Sequence, residues 1–141
     1  MNRRGSFGKK LTTAVSLAAL AAGLIVDVPK AQASADGCAN LGYPAACIQV
    51  EGSGTHVDWV RGGVRLRARG SVRGHFEIWW EGGKVDTADE TLSNDSFIAH
   101  TKWGQQVVLN RALPRGQICS KFWERHDNGW NDKGTACVGI G

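Results

Sequence analysis

Several patterns that indicate common functions are missing from the sequence after position 33. Apolar residues there show no helical periodicity and no internal repeat, which argues against helix bundles and repeat proteins. The absence of a C-x-x-C pair and of histidines at ligand spacing argues against a zinc site. No G-x-S-x-G motif surrounds Ser71 or Ser120, the nearest candidates for a nucleophile. These absences leave a β protein for which neither catalysis, a metal nor a cofactor is expected.

Residues 34–141 carry no net charge, because the excess of basic residues lies in residues 1–33. Residues 1–33 have a basic start, an apolar run over 11–26 and the small residues Ala31 and Ala33, a pattern typical of a secretory signal peptide. We expect cleavage after Ala33, although Ala35 also satisfies the rule, and Arg3-Arg4 leaves general and twin-arginine export open. The run is too short for a membrane anchor.

The net charge of +4 belongs to this leader, because the remaining residues contain twelve basic and twelve acidic side chains. A role on nucleic acid or on an anionic membrane therefore loses its main support. We expect a secreted, extracellular protein without a membrane association after cleavage.

All four cysteines follow the predicted leader, and an even number in an exported chain predicts two disulfides. Of the three possible connectivities we favour Cys38–Cys47 and Cys119–Cys137, because each pair is close in sequence; the second would join the last two strands. Residues 34–46 are predicted to form an irregular or extended N-terminal arm. Residues 47–141 are predicted to form a single β-sandwich domain.

Alternating polar and apolar residues over 64–80 predict two half-buried strands that meet near Gly70 and Gly74 at the centre of one antiparallel sheet. Gly62-Gly63 is either a tight hairpin or a bulge within one long strand. About seven short strands with Gly-rich turns predict an all-β antiparallel sandwich, with an antiparallel barrel as the alternative.

Other segments carry weaker patterns. We expect Val57 and Trp59 to face inward on one strand, residues 85–95 to form an acidic loop and residues 96–103 to form a strand. Residues 127–134 are rich in oxygen ligands, but Lys133 lies among them and the terminal Glu of a calcium loop is missing. Turn formation is therefore expected there rather than calcium binding.

Charge is segregated along the chain. Residues 61–73 contain five arginines and no acid, whereas residues 77–95 contain six acids and only Lys84. Ion pairs between neighbouring strands are the simpler expectation. The alternative is a basic stripe that contacts an acidic partner or an anionic glycan.

Six tryptophans give the strongest indication of binding. Trp79 and Trp80 are consecutive, so in a strand one of them leaves the core side, and Phe122-Trp123 repeats the argument. Exposed aromatics on a rigid sheet are typical of contacts with a protein or a sugar ring, unless arginine side chains or a loop cover them. With Trp130 in the expected loop, the candidate binding residues are Trp79, Trp123, Trp130, Arg65, Arg67 and Arg69.

A histidine and an acid share a strand face twice, as His56 with Asp58 and as His75 with Glu77. Such pairs can shift a pKa, but catalysis would also require an activated nucleophile or a metal. We therefore expect no catalytic residue.

Three blocks, over residues 74–79, 118–124 and 134–138, resemble a family of small exported proteins of Gram-positive actinobacteria. The likeness spans about residues 45–138 and rests mainly on the Cys-x-x-Phe-Trp and Ala-Cys-Val motifs. It implies one specific role, the bridging subunit of umbrella toxin particles, in which a disulfide-bonded protein joins a toxin polypeptide to a lectin subunit.

The leading expectation is therefore a non-catalytic protein–protein adaptor in an extracellular, antibacterial assembly. The alternative is a carbohydrate-binding module for cell-wall or environmental glycans, for which Trp79 beside Glu77 is the best local candidate.

Overall fold

The computed structural model describes residues 35–39 and 42–141, so the predicted signal peptide lies outside the described residues. The described residues form ten strands. No helix among them could cross a membrane. The strands are β1 (Ala35–Cys38), β2 (Ala45–Ser53), β3 (His56–Leu66), β4 (Ser71–Trp80), β5 (Gly83–Asp86), β6 (Glu90–Ser93), β7 (His100–Trp103), β8 (Val107–Ala112), β9 (Gly116–His126) and β10 (Gly129–Ile140).

The strands form two five-stranded antiparallel sheets, which confirms the predicted fold class with more strands than expected. Sheet A has the order β1-β2-β3, and both β7 and β8 pair with the free side of β3. Sheet B has the order β10-β9-β4, and both β5 and β6 pair with the free side of β4. Each sheet therefore has an edge strand (β1 or β10), a long central strand (β3 or β4), and two short strands that share the other side of that central strand.

The core lies between the inner faces of the two sheets. Phe76 and Phe122 of sheet B are fully buried with ring centroids 5.0 Å apart, and they belong to one cluster with Val60 and Val64 of sheet A. Gly62 faces this core, where any Cβ would collide with the ring of Phe76. The sheets approach closely there because a glycine occupies the contact.

Strand β3 runs without a break through Gly62-Gly63, so of the two expectations for this dipeptide the single long strand is confirmed. Gly63 faces the opposite side of the sheet, where a Cβ on it would meet the indole ring of Trp103. The two glycines thus let an aromatic ring lie against each face of one strand. The irregularity in β3 is instead at Asp58, where the register with both neighbouring strands shifts.

Both predicted disulfides are present, and each joins directly opposed residues of neighbouring strands. Cys38 pairs with Cys47 between β1 and β2, and Cys119 pairs with Cys137 between β9 and β10. The first disulfide joins Cys38, in the segment predicted as an irregular or extended arm, to Cys47 at the predicted start of the sandwich domain. Residues 35–38 of that segment are regular, because they pair with four consecutive residues of β2.

The prediction that β3 and β4 meet in one sheet is wrong. β3 belongs to sheet A and β4 to sheet B, and residues 67–70 cross from one to the other. A second crossing, residues 94–99, returns from β6 in sheet B to β7 in sheet A. The backbone N–H groups of Arg69 and Asn94 join the two crossings through hydrogen bonds to Ser96 and Gly70.

Three segment predictions also need correction. Residues 85–95, expected to be a loop, include the end of β5 and all of β6, whose Val85 and Leu92 pack on the core. The strand expected over 96–103 is limited to β7. Residues 127–134, also expected to be a loop, contain only a two-residue turn at Asp127-Asn128, after which β10 begins.

Candidate binding surfaces

The outer face of sheet B holds the three candidate tryptophans. Trp80 points into the core and is only 7% exposed, whereas Trp79 is half-buried on the outer side, as their consecutive positions predict. Phe122 and Trp123 divide in the same way. Trp130 is in β10 rather than in a loop and is 44% exposed. We call this outer surface the tryptophan face, defined by Trp79, Trp123, Trp130, His75, Glu77 and Lys121.

Two contacts hold the rings of this face in place. The indole N–H of Trp123 donates a hydrogen bond to Glu77 Oε2 at 3.0 Å. The ring of His75 meets the ring of Trp130 edge-on, with centroids 4.5 Å apart. Lys121 Nζ lies 5.1 Å from the ring centre of Trp123 and 5.9 Å from that of Trp79, within the range of a cation–π contact.

Charged groups around the tryptophan face pair with one another. Lys84 lies 3.7 Å from Glu77 and 3.8 Å from Asp86, and Lys121 lies 3.3 Å from Asp132. Asp89 contacts Arg125 at 3.2 Å and His75 at 3.4 Å. His75 therefore pairs with Asp89 and not with Glu77, the partner suggested by their shared strand face.

Two cavities open on this face and share Trp130. The larger, about 550 Å³, is lined by Arg73, Arg125, His126, Asp127, Gly129 and Trp130. The smaller, about 260 Å³, is lined by His75, Glu77, Asp86, Trp123 and Trp130. Aromatic rings, carboxylates and cations thus line the two cavities, as in many ligand sites.

The three candidate arginines do not surround these tryptophans. Arg65 is exposed on β3, while Arg67 and Arg69 lie in the first crossing. Arg67 lies 5.7 Å from the ring centre of Tyr43, and Arg69 lies 4.3 Å from that of Phe97. The structure therefore divides the six candidate residues between two surfaces.

The expected cross-strand ion pairs are not found. In the ranges 35–39 and 42–141, no ion pair joins an arginine of 61–73 to an acid of 77–95. Three of the five arginines, Arg61, Arg67 and Arg69, contact aromatic rings instead. The second surface, called the tip, consists of Tyr43, Arg67, Arg69, Phe97 and Ile98.

The tip combines high exposure with a rigid support. Phe97 is 83% exposed and Ile98 is 63% exposed. Beneath them Asn94 is fully buried, and its side-chain N–H groups donate to the carbonyls of Leu66, Arg67 and Ile98 at 3.4, 2.9 and 2.8 Å. Its Oδ1 accepts from the N–H of Ser96 at 3.0 Å. One amide side chain thus fixes the geometry of both crossings.

A third aromatic surface, on the outside of sheet A, was not predicted from the sequence. Arg61 lies 5.4 Å from the ring centre of Trp59 and 5.1 Å from that of Trp103, and it donates to Gln49 at 2.7 Å. Trp59 was expected to face inward with Val57. The extra residue at Asp58 reverses the alternation, so Val57 is buried and Trp59 lies outside.

Titratable groups elsewhere form no further site. His56 pairs with Asp58 at 3.3 Å on the exposed surface. Burial raises the pKa of Glu90, partly opposed by a hydrogen bond from the backbone of Gln105, and Glu90 Oε1 has no hydrogen-bond partner. Within the described residues, no three His, Cys, Asp or Glu side chains cluster closely enough to hold a metal ion.

No family model matches this sequence, and neither a curated protein nor a solved structure shows significant similarity to it.

Proposed function

We propose that this is a secreted, non-catalytic adaptor that joins protein partners in an extracellular assembly. The observation that carries the proposal is the tip, where two exposed apolar side chains stand on a hydrogen-bonded support beside arginines. Aromatic residues and arginine are enriched at the centres of protein interfaces. A support that is already ordered reduces the conformational entropy lost when a partner binds.

The charge of the tip favours a partner with an acidic rim. Arg67 and Arg69 of the tip and Arg65 near the end of β3 are exposed, against one exposed acid in the second crossing, Asp95. An apolar pocket bordered by carboxylates would accept Phe97 and Ile98 while pairing with these cations.

An adaptor needs a second surface, and the outside of sheet A offers one. There Trp59, Arg61 and Trp103 stack beside Val108, which is 73% exposed. The two disulfides agree with an oxidising, extracellular environment. The resemblance to the bridging subunits of umbrella toxin particles favours a toxin polypeptide and a lectin subunit as the two partners.

Affinity purification of the tagged mature protein from the culture supernatant of its own host, followed by mass spectrometry, tests the proposal. The wild-type protein should recover large secreted polypeptides in stoichiometric amounts. The double variant Phe97→Ala/Ile98→Ala should recover at least about tenfold less, since both anchors are removed without disturbing a buried group.

Arg115→Glu provides the matched control. Arg115 is exposed and lies at the opposite end of the sandwich, because Trp80, at the far end of β4 from the first crossing, pairs with Ile118. This variant should recover the partners as the wild type does. Recovery of the wild-type protein alone, as a monomer, would contradict the adaptor function.

A further inference from the structure

We propose that the tryptophan face binds a neutral oligosaccharide, in the two cavities that meet at Trp130. This site is separate from the tip and goes beyond the adaptor function. Its elements are the aromatic rings, their rigid attachment and the balance of charge around them.

The rings supply an apolar platform. Trp130 lines both cavities and Trp123 lines the smaller one. A sugar ring has one face formed mainly of C–H groups, and such a face packs against the flat, electron-rich surface of an indole. The hydrogen bond from Trp123 to Glu77 and the edge contact of His75 with Trp130 hold these rings before any ligand arrives, so little side-chain entropy is lost on binding.

The charges on this face favour a neutral ligand. Five carboxylates and four cations lie on or beside it, and all except Asp127 and Arg73 take part in the ion pairs described above. A strongly anionic or cationic ligand would be repelled by about half of them. A hydroxyl group both donates and accepts, so a polyhydroxylated ligand can use both kinds of partner. The groups are Glu77, Asp86, Asp89, Asp127, Asp132, Arg73, Lys84, Lys121 and Arg125.

The dimensions favour more than one sugar unit. The cavities, about 550 and about 260 Å³, are both lined by Trp130, and the larger by itself has the size of an ordinary ligand site. Of the basic stripe, which in the sequence suggested an anionic glycan, Arg73 lines the larger cavity, whereas Arg67 and Arg69 lie at the tip and Arg65 lies on β3 of the other sheet. Because Arg65, Arg67 and Arg69 lie away from Trp130, we expect a neutral saccharide here rather than an anionic one.

Intrinsic tryptophan fluorescence during titration with defined trisaccharides tests this site. The neutral probes are triacetylchitotriose, cellotriose and maltotriose, and the charged probe is trigalacturonic acid. At least one neutral probe should give a saturable change below about 10 mM, a range accessible to weak binding. Trp130→Ala should weaken that binding at least about tenfold, because it removes the ring shared by both cavities.

Trp59→Ala is the matched control, since Trp59 is a half-buried indole beside an arginine on the opposite sheet. It should bind the probe as the wild type does. Asp86→Asn tests the polar lining with the rings intact and should weaken binding about two- to threefold. Circular dichroism confirms the fold of each variant.

The site would be overturned by the absence of a response to all three neutral probes, by binding of the charged probe alone, or by equal binding to Trp130→Ala. Phe97→Ala/Ile98→Ala should bind the saccharide normally, and Trp130→Ala should recover protein partners normally. Failure of one proposal is therefore distinguishable from failure of the other.

Discussion

Most arginine side chains of the basic segment contact aromatic rings in this protein rather than carboxylates. Arg61, Arg67 and Arg69 each lie over at least one ring, at 4.3 to 5.7 Å from its centre. Such contacts let the planar guanidinium cover an indole or phenyl surface while its edge stays hydrated. Residue identity thus explains why five clustered arginines are tolerated without acidic partners.

Glu90 gives a prediction at the same scale. Its Oε1 is buried without a hydrogen-bond partner beside Phe76 and Gly104, and this burial raises the pKa of the carboxyl group. The folded state therefore binds the Glu90 proton more tightly than the unfolded chain does. The contribution of Glu90 to stability falls as pH rises from its ordinary pKa through the raised one, and then stays constant.

We expect Glu90→Gln to stabilise the protein at pH 7 by about 0.5–1 kcal/mol, a small gain because the carboxyl group is only partly buried. The difference from wild type should vanish below the ordinary pKa. Urea unfolding at a series of pH values, from about pH 3.5, below the ordinary pKa of a glutamate, to about pH 8, measures it, with exposed Glu81→Gln as control. A difference that is the same at every pH would show that desolvation of the charge is not its cause.

At the scale of elements, alternation identified the faces of β4 correctly but failed in β3, where an inserted residue interrupts it. Over residues 75–80 the inward and outward residues are those expected, and the two disulfides pair as expected. Alternation cannot distinguish a hairpin from a crossing between sheets, because both place the same residues on the core side. Hence β3 and β4 were assigned to one sheet although residues 67–70 separate them.

Two further misses have physical causes. The turn end of the β9–β10 hairpin, residues 125–132, is exposed on both faces. Its sequence therefore shows no alternation of apolar and polar residues from which a strand could be predicted. One inserted residue, Asp58, reversed the predicted direction of Trp59. The structure brings the three candidate tryptophans together and places the candidate arginines elsewhere, because adjacency across a sandwich depends on which sheet each strand joins.

Asn94 gives the prediction that belongs to this scale, since it connects the two crossings. Asn94→Ala would leave the carbonyls of Leu66, Arg67 and Ile98 without this donor, although the Arg67 carbonyl also accepts from the N–H of Gly70. We expect a loss of about 2–3 kcal/mol in the free energy of unfolding, the usual cost of unpaired buried polar groups. Urea denaturation measures it, with exposed Asp95→Ala as the neighbouring control. A loss below about 0.5 kcal/mol would mean that the crossings are held by their backbone hydrogen bonds alone.

At the scale of the whole molecule, the two sheets repeat one plan. In each, a disulfide joins the edge strand to its neighbour, a long central strand follows, and two short strands share the far side. The two edge strands that carry these disulfides also lie near each other, since a Cβ on Gly37 in β1 would contact Val138 in β10 at 3.7 Å. The disulfides therefore protect the same side of the sandwich, one in each sheet.

Removing the Cys38–Cys47 disulfide and removing the Cys119–Cys137 disulfide should nevertheless affect the fold differently. In the loop-entropy model, closing the separations of 9 and 18 residues stabilises the fold by about 2.6 and about 3.2 kcal/mol. Cys38 lies in a four-residue edge strand, whereas Cys119 lies in β9, which pairs with β4 along seven residues. Loss of the first disulfide should free a short edge, and loss of the second should loosen a central element of sheet B.

Hydrogen–deuterium exchange of Cys38→Ser/Cys47→Ser and Cys119→Ser/Cys137→Ser distinguishes these outcomes. In the first variant faster exchange should be confined to β1 and to the residues of β2 that pair with it. In the second it should spread through β9, β10 and β4, because β9 donates hydrogen bonds to both neighbours. Equal and global acceleration in both variants would show instead that the sandwich opens as one cooperative unit and that each disulfide acts only on the unfolded chain.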